Sequence, residues 1–181
     1  MSTELRRPDS GPGTLLQVTP QSAGWEYLAF AVVEVGPGTT FADDVDGRET
    51  AIVPLAGDGV VEAAGTTVGL GRTSVFEPMP RIVDLPPGTP FSVASDTSLT
   101  VAIGSAPAEG RLPFRVIEPA EMRNEVRGGG QAYRQVVHAL APPIPAERLI
   151  LYEVYVPRGT WSGWPPHCHD GRDGSPYLEE T

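Results

Sequence analysis

The chain contains no lysine at all: its 13 basic residues are all arginine, against 23 acidic ones, and the formal net charge is -10. A surface of that sign argues against nucleic acid or an anionic membrane as a partner, because either needs a basic face to displace counterions. A small anionic ligand is still compatible, since a local cluster of arginine overrides the global sign and its planar fork suits carboxylates. Taken with 21 glycines and 20 prolines, the all-arginine count reads as compositional bias and marks no site. Cysteine is nearly absent too. Cys168 stands alone, which excludes an intrachain disulfide framework and makes a reducing setting the default. The opening MSTELRRPDSGPGTLLQVTP has two arginines but no apolar run of the kind a signal peptide needs. The longest apolar stretch, residues 27–35, falls far short of the roughly 20 residues that span a bilayer. The expectation is a cytoplasmic protein whose partner is a small molecule, with no nucleic acid and no membrane.

Long helical periodicity is missing through about residue 118. In its place stand short apolar segments, YLAFAVVEV, TAIVPLAG, GVVEAAGTTVGL, SVFEPM, IVDL, FSVAS and LTVAIGSA, punctuated by GPG, GDG and PPG. Such spacing predicts strands joined by tight turns, and hence an all-β antiparallel sandwich or barrel. EPAEMRNEV, near residues 118–126, predicts a helical turn ended by GGG at 128–130, and AYRQVVHAL and RLILYEVYV read as strands again. The organisation expected is a tail (residues 1–14), a first barrel (15–115), a linker (116–140) and the opening strands of a second barrel (141–181). A length of 181 residues suits one good core and part of another at roughly 100–200 residues per domain. An internal resemblance supports duplication: VEVGPGTTF in the first half is matched by YEVYVPRGTW in the second.

The chemistry concentrates at the end, in WSGWPPHCHDGRDGSPYLEET. On an extended segment the side chains of His167 and His169 point the same way, because the strand period is two. They can share one ion, Cys168 then faces away, and a carboxylate from a following strand completes the set. Glu179 and Glu180 arrive there, and alternation turns only one of them inward. In the first copy Asp44, Asp46 and Glu49 stand where the second has His167, His169 and a late glutamate, so the first half is expected to be structural. His138, inside the apolar run RQVVHAL, reads as a satisfied strand histidine.

These stretches resemble the cupin superfamily, and within it the chain is similar to the 5-deoxy-glucuronate isomerases of inositol breakdown, which are two-domain cupins. The resemblance is carried by GWEYLAF at 24–30, SVFEPMP at 74–80, EVRGGGQAYRQV at 125–136, LILYEVYVPRGTWSGWPPHCHD at 149–170 and YLEET at 177–181. It implies a duplicated cupin jelly roll or barrel with the second copy incomplete, and a divalent metal ion, zinc or manganese, held by His167, His169 and Glu180, with Glu179 the alternative acid. It also implies an aldose–ketose isomerisation of a sugar acid, 5-deoxy-glucuronate to 2-deoxy-5-keto-gluconate. The acid of the Glu179–Glu180 pair that does not bind metal is the candidate base, and Arg127 and Arg134 are candidates for the substrate carboxylate. Two departures stand against the pattern. Cys168 occupies a place the family usually gives to lysine, and the family continues for roughly another hundred residues that include a third histidine ligand. The rival expectation is a non-enzymatic cupin fragment or sugar-acid binding module. An unfinished barrel exposes strand edges, so homo-oligomerisation through that half is expected.

Overall fold

The computed structural model of the chain describes residues 12–44 and 46–163. Among them, nine strands form a first sheet: β1 (Gly13–Val18), β2 (Ala29–Val35), β3 (Thr39–Asp43), β4 (Arg48–Ala63), β5 (Thr66–Arg72), β6 (Ile82–Leu85), β7 (Phe91–Ser95), β8 (Leu99–Pro107) and β9 (Arg115–Ile117). A second sheet has the order β10 (Arg123–Arg127), β11 (Arg134–Leu140), β12 (Leu151–Tyr155). The pairings are antiparallel throughout. No described helix is long and apolar enough to cross a membrane.

The 16-residue β4 organises the first sheet. Its first half pairs with β8 and β6, and its second half with β5 and β7. Ile52 from the first half and Val61 and Ala63 from the second meet in one core with Val33, Val83, Leu99, Leu70, Phe91 and Val93. The two halves of one strand thus lie in two layers that face each other, the arrangement of a jelly roll. Each fully buried Val, Leu or Ile contributes about 1.5–3 kcal/mol to holding the layers together. The strand path runs from β1 to β9 without closing, so the expected all-β fold is realised as an open jelly roll.

Three local expectations are corrected. The GDG at 57–59 is not a turn: β4 runs straight through it. Its glycines serve close approach, since a Cβ on Gly57 would lie 2.0 Å from Ser98 O and one on Gly59 would lie 2.4 Å from Ala94 O. Gly57 also has φ of +92°. Gly57→Ala is therefore expected to cost at least about 2 kcal/mol. Gly69→Ala, where nothing lies within 4 Å, should stay within about 0.5 kcal/mol. Urea denaturation midpoints check the pair, and equal midpoints would refute the close-approach explanation. Second, GVVEAAGTTVGL is two strands, with Ala64 and Gly65 as the hairpin turn. Third, SVFEPM forms no strand, because the Val75 and Glu77 carbonyls accept hydrogen bonds from the buried Arg72 guanidinium instead of joining a ladder.

The stretch 116–140, expected to be a linker, contains a short 3-10 turn (Pro119–Glu121) followed by β10 and β11. The helical reading of 118–126 fails beyond the turn because Arg123, Asn124, Glu125, Val126 and Arg127 find partners residue for residue on β11. One face of this second sheet, with Val137, Ala139, Leu151 and Tyr155, packs on Ala51, Val53, Ile82 and Ile117 of the first and on Met79 and Met122 beside it.

The internal repeat recurs in the hydrogen bonds. Thr39 donates both its N–H and its Oγ1 to Gly36 O, at 3.1 and 2.8 Å. Thr160 does the same to Pro157 O, at 3.1 and 2.7 Å. The residue before each threonine is a glycine of positive φ, Gly38 at 68° and Gly159 at 83°. The same turn therefore follows β2 and β12, and its register pairs Gly36 with Pro157.

Candidate functional site

The three strands of the second sheet bring three rows of side chains to the face turned away from the first sheet. Strand alternation puts Arg123, Glu125 and Arg127 of β10 on that face. Their partners extend each row: Arg123 with His138 and Tyr152, Glu125 with Val136 and Val154, Arg127 with Arg134. Arg127 and Arg134, the two arginines expected to bind a carboxylate, are thus direct cross-strand partners. Like charges placed directly opposite are destabilising unless an anion lies between or beside them.

Glu125 is the anion within this face. It accepts from Arg127 Nε, and its other oxygen lies 3.3 Å from Arg123 Nη2. His138 Nε2 is 3.5 Å from the same carboxylate. Arg127, first, and then Arg123 hold the Glu125 carboxyl below its ordinary range. Arg123 Nη2 also sits 2.9 and 3.1 Å from the two ring nitrogens of His138. An arginine only donates, so one ring nitrogen must accept there. His138 is buried and meets Tyr152 edge-on at 4.9 Å, which agrees with the satisfied strand histidine expected. Arg134 donates to Ala132 O at 3.1 Å. Tyr152 and Val154 are 45% and 43% exposed, so the charged rows end against an apolar, half-open edge. A groove of about 560 Å³ lies mainly on the other side of the sheet, lined by Phe76, Gln135, Glu153, Tyr155 and Pro157, and reaches the edge of β12 at Val154.

The opposite face of β12 fixes this sheet to the first. Arg72, 5% exposed at the end of β5, donates through Nη1 and Nη2 to the two oxygens of Glu153 at 2.8 and 2.6 Å, and to Tyr155 Oη at 2.9 Å. Tyr155 also donates to Glu153. Burial, followed by Glu153, pushes the Tyr155 hydroxyl up to about 12. A second clamp comes from Glu49, whose buried carboxylate accepts the backbone N–H groups of Glu147, Arg148 and Leu149, each at 2.7 Å. These three residues lead into β12. Glu49, matched to the second copy's late glutamate, thus anchors a loop, while Asp44 and Asp46, matched to its histidines, are exposed. Asp84 is buried beside Glu49 and Arg115, and its Oδ1 has no hydrogen-bond partner among the described residues.

His167, His169, Glu179 and Glu180, with Cys168, lie outside the described residues. Among the described residues, no three His, Cys, Asp or Glu side chains gather to hold a metal ion. Sequence reasoning named Arg127 and Arg134, which the register sets opposite each other, and did not name Arg123, Glu125 or Tyr152, which share their face. The available signal was the R-x-E-x-R alternation of RNEVR, which a helical reading scatters around an axis.

An all-β jelly roll extended by a second sheet with an arginine-rich face is the class these observations define. The KduI/IolB family matches residues 4–181, and the chain belongs to that family. It is 38% identical over 176 residues to a 5-deoxy-glucuronate isomerase of Geobacillus kaustophilus, covering 93% of this chain and 63% of that protein. With the 5-deoxy-glucuronate isomerase of Bacillus subtilis strain 168 the identity is 32% over 193 residues, covering all of this chain and 71% of the relative. An IolB-like protein of Salmonella typhimurium superposes with a TM-score of 0.83 at 37% identity, over 88% of this chain and 62% of that one. The chain spans just under two thirds of the length of the first two curated relatives, 63% and 64%.

Proposed function

We propose that this chain serves a divalent-metal-dependent aldose–ketose isomerase acting on 5-deoxy-glucuronate and yielding 2-deoxy-5-keto-gluconate, in the cytoplasm. The observation that carries the reading is the family match over residues 4–181, which includes the His-x-His segment and both arginines. In this reading a first unit over residues 15–115 is structural. The second unit, built on residues 141–181 and joined by β10 and β11 from within 116–140, holds the site.

Two imidazoles and a carboxylate are a donor set that zinc and manganese accept. His167, His169 and Glu180 would hold the ion, with Glu179 the alternative acid. When bound, such an ion supplies Lewis-acid polarisation of the substrate carbonyl. The chain's own residues supply the rest. Arg127 and Arg134 take the sugar-acid carboxylate in a two-pronged hydrogen bond, and whichever of Glu179 and Glu180 does not bind the ion carries the proton between the adjacent carbons.

A second reading, a sugar-acid binding module without turnover, is favoured by one observation: the arginine face is built by residues 123–140, on β10 and β11. Metal analysis with an isomerase assay separates the two. Replacing both histidines (H167A/H169A) is expected to abolish metal retention and lower kcat/KM by about a thousand-fold or more. Wild-type chain that retains metal and binds a uronate but turns nothing over would favour the module.

A further inference from the structure

We infer that Glu125 is a built-in stand-in for the ligand's carboxylate, held between Arg123 and Arg127, and that a sugar acid binds this face by displacing it. The inference deepens the proposed function and rests on that reading for the class of ligand.

Three arginines and one glutamate give the face a net charge of +2, counting Arg123, Arg127 and Arg134 against Glu125, in a chain whose total is -10. A cluster of that sign on half-exposed strands needs a counter-ion, and among the described residues Glu125 is the one carboxylate within the cluster. Glu125 engages Arg127 through Nε, the side of the guanidinium away from its terminal fork. Its hold on Arg123 is a 3.3 Å contact, looser than the 2.6 Å of the buried Arg72–Glu153 pair. All three partners are accessible: the Arg123, Arg127 and Glu125 side chains are 50%, 44% and 27% exposed. Such exposed pairs contribute little stability, so exchanging one carboxylate for another is close to neutral for the fold. Arg123 is restrained by His138 and Arg134 by Ala132 O, so the cationic frame stays placed when the internal anion leaves. Tyr152 and Val154, exposed on the same face, offer an apolar platform for the carbon skeleton. The ligand chemistry this fits is a monocarboxylate with a hydroxylated carbon chain, a uronic acid. The internal competitor also makes the face selective, since a neutral sugar has no charge with which to displace it.

The test is an NMR titration of the full chain with D-glucuronate, and with D-glucose as the uncharged comparison. If Glu125 occupies the arginines most of the time, removing its charge in Glu125→Gln should tighten uronate binding by about 5–10-fold, because apparent affinity scales with the fraction of competent sites. Arg127→Gln should weaken it by about 10-fold, and D-glucose binding should be the same in all variants. Glu125→Asp, which keeps the charge on a shorter arm, should fall between wild type and Glu125→Gln. This second variant decides the question if the first fails to fold. Uronate affinity that is unchanged or weaker in Glu125→Gln, or in Glu125→Asp where that variant decides, would overturn the inference. So would a wild-type chain and Glu125→Gln that both fail to bind D-glucuronate. No turnover is required, so a chain that binds as described but lacks isomerase activity overturns the proposed function alone. A chain that isomerises with Glu125→Gln no tighter overturns only the inference.

Discussion

Glu153→Ala is expected to destabilise the protein by about 3–5 kcal/mol, because it strands a buried arginine charge. The Arg72 side chain is 1% exposed and that of Glu153 20% exposed. Both terminal nitrogens of Arg72 are committed to Glu153, and Nη2 is shared with Tyr155, Val75 O and Glu77 O. Glu153, before the coulombic effect of Tyr155, is what raises the guanidinium further. Removing the carboxylate leaves three carbonyl or hydroxyl partners for a full positive charge and leaves Nε, already without a partner, in the same surroundings. Arg72→Met alone is expected to cost less, because Glu153 is partly open to water and can be solvated. Arg72→Met with Glu153→Leu should recover most of the loss, since a well-packed apolar pair often matches a buried ion pair. Chemical denaturation of the four proteins ranks them, and a Glu153→Ala midpoint like that of wild type would show that the pair does not join the sheets. The effect bears on function, because β12 carries Glu153 and Tyr155 on one face and Tyr152 and Val154 on the other. Loosening the clamp displaces one wall of the arginine face.

Much of this architecture was legible from the residues. Alternation in FSVAS and LTVAIGSA located β7 and β8, because each strand buries a face and the period of two survives in the sequence, and IVDL located β6 as a short run between turn signals, all four of its residues being buried. The repeat was legible from Gly and Thr, which the turn requires. What escaped was tertiary. Nothing local distinguishes the GDG that punctuates a hairpin from the one at 57–59, where Ser98 and Ala94 come close from a distant part of the chain. RNEVR looks helical by propensity and is a strand because β11 offers it a ladder. Arg127 and Arg134 were singled out through the family resemblance. That they face each other could be known only from the register, and Glu125 gains its meaning only from that face. Arg72 and Glu153 lie 81 residues apart, and no spacing rule pairs them.

Asp84→Asn is expected to stabilise the protein at pH 8 by up to about 4 kcal/mol and to bring no gain at pH 4. Burial, then the neighbouring charge of Glu49, pushes the Asp84 carboxyl from 3.8 up to about 7, against a smaller lowering by Arg115. The folded state therefore keeps the Asp84 proton over a range in which the unfolded chain has released it. Between about pH 4 and pH 7 the unfolded chain binds fewer protons at this site, so the slope of stability against pH is negative. The contribution is fully present below about pH 4 and lost by about pH 7. An amide at position 84 has no proton to lose and leaves that slope out. The difference between wild type and variant isolates Asp84 from Glu125 and Glu147, whose carboxyls are held low and whose contributions run the other way, lost as pH falls. Because Asp84 pairs with Ala51 on β4 and with Arg115 on β9, its ionisation acts where the first sheet receives the second. Glu49, two residues before Ala51, holds the loop that leads into β12 through three N–H groups. A like charge forming beside it sets the two carboxylates against each other at the root of that loop. Thermal denaturation of wild type and Asp84→Asn at pH 4, 6 and 8 measures the effect. A difference that does not grow across those values would mean that Asp84 is ionised in the folded protein throughout.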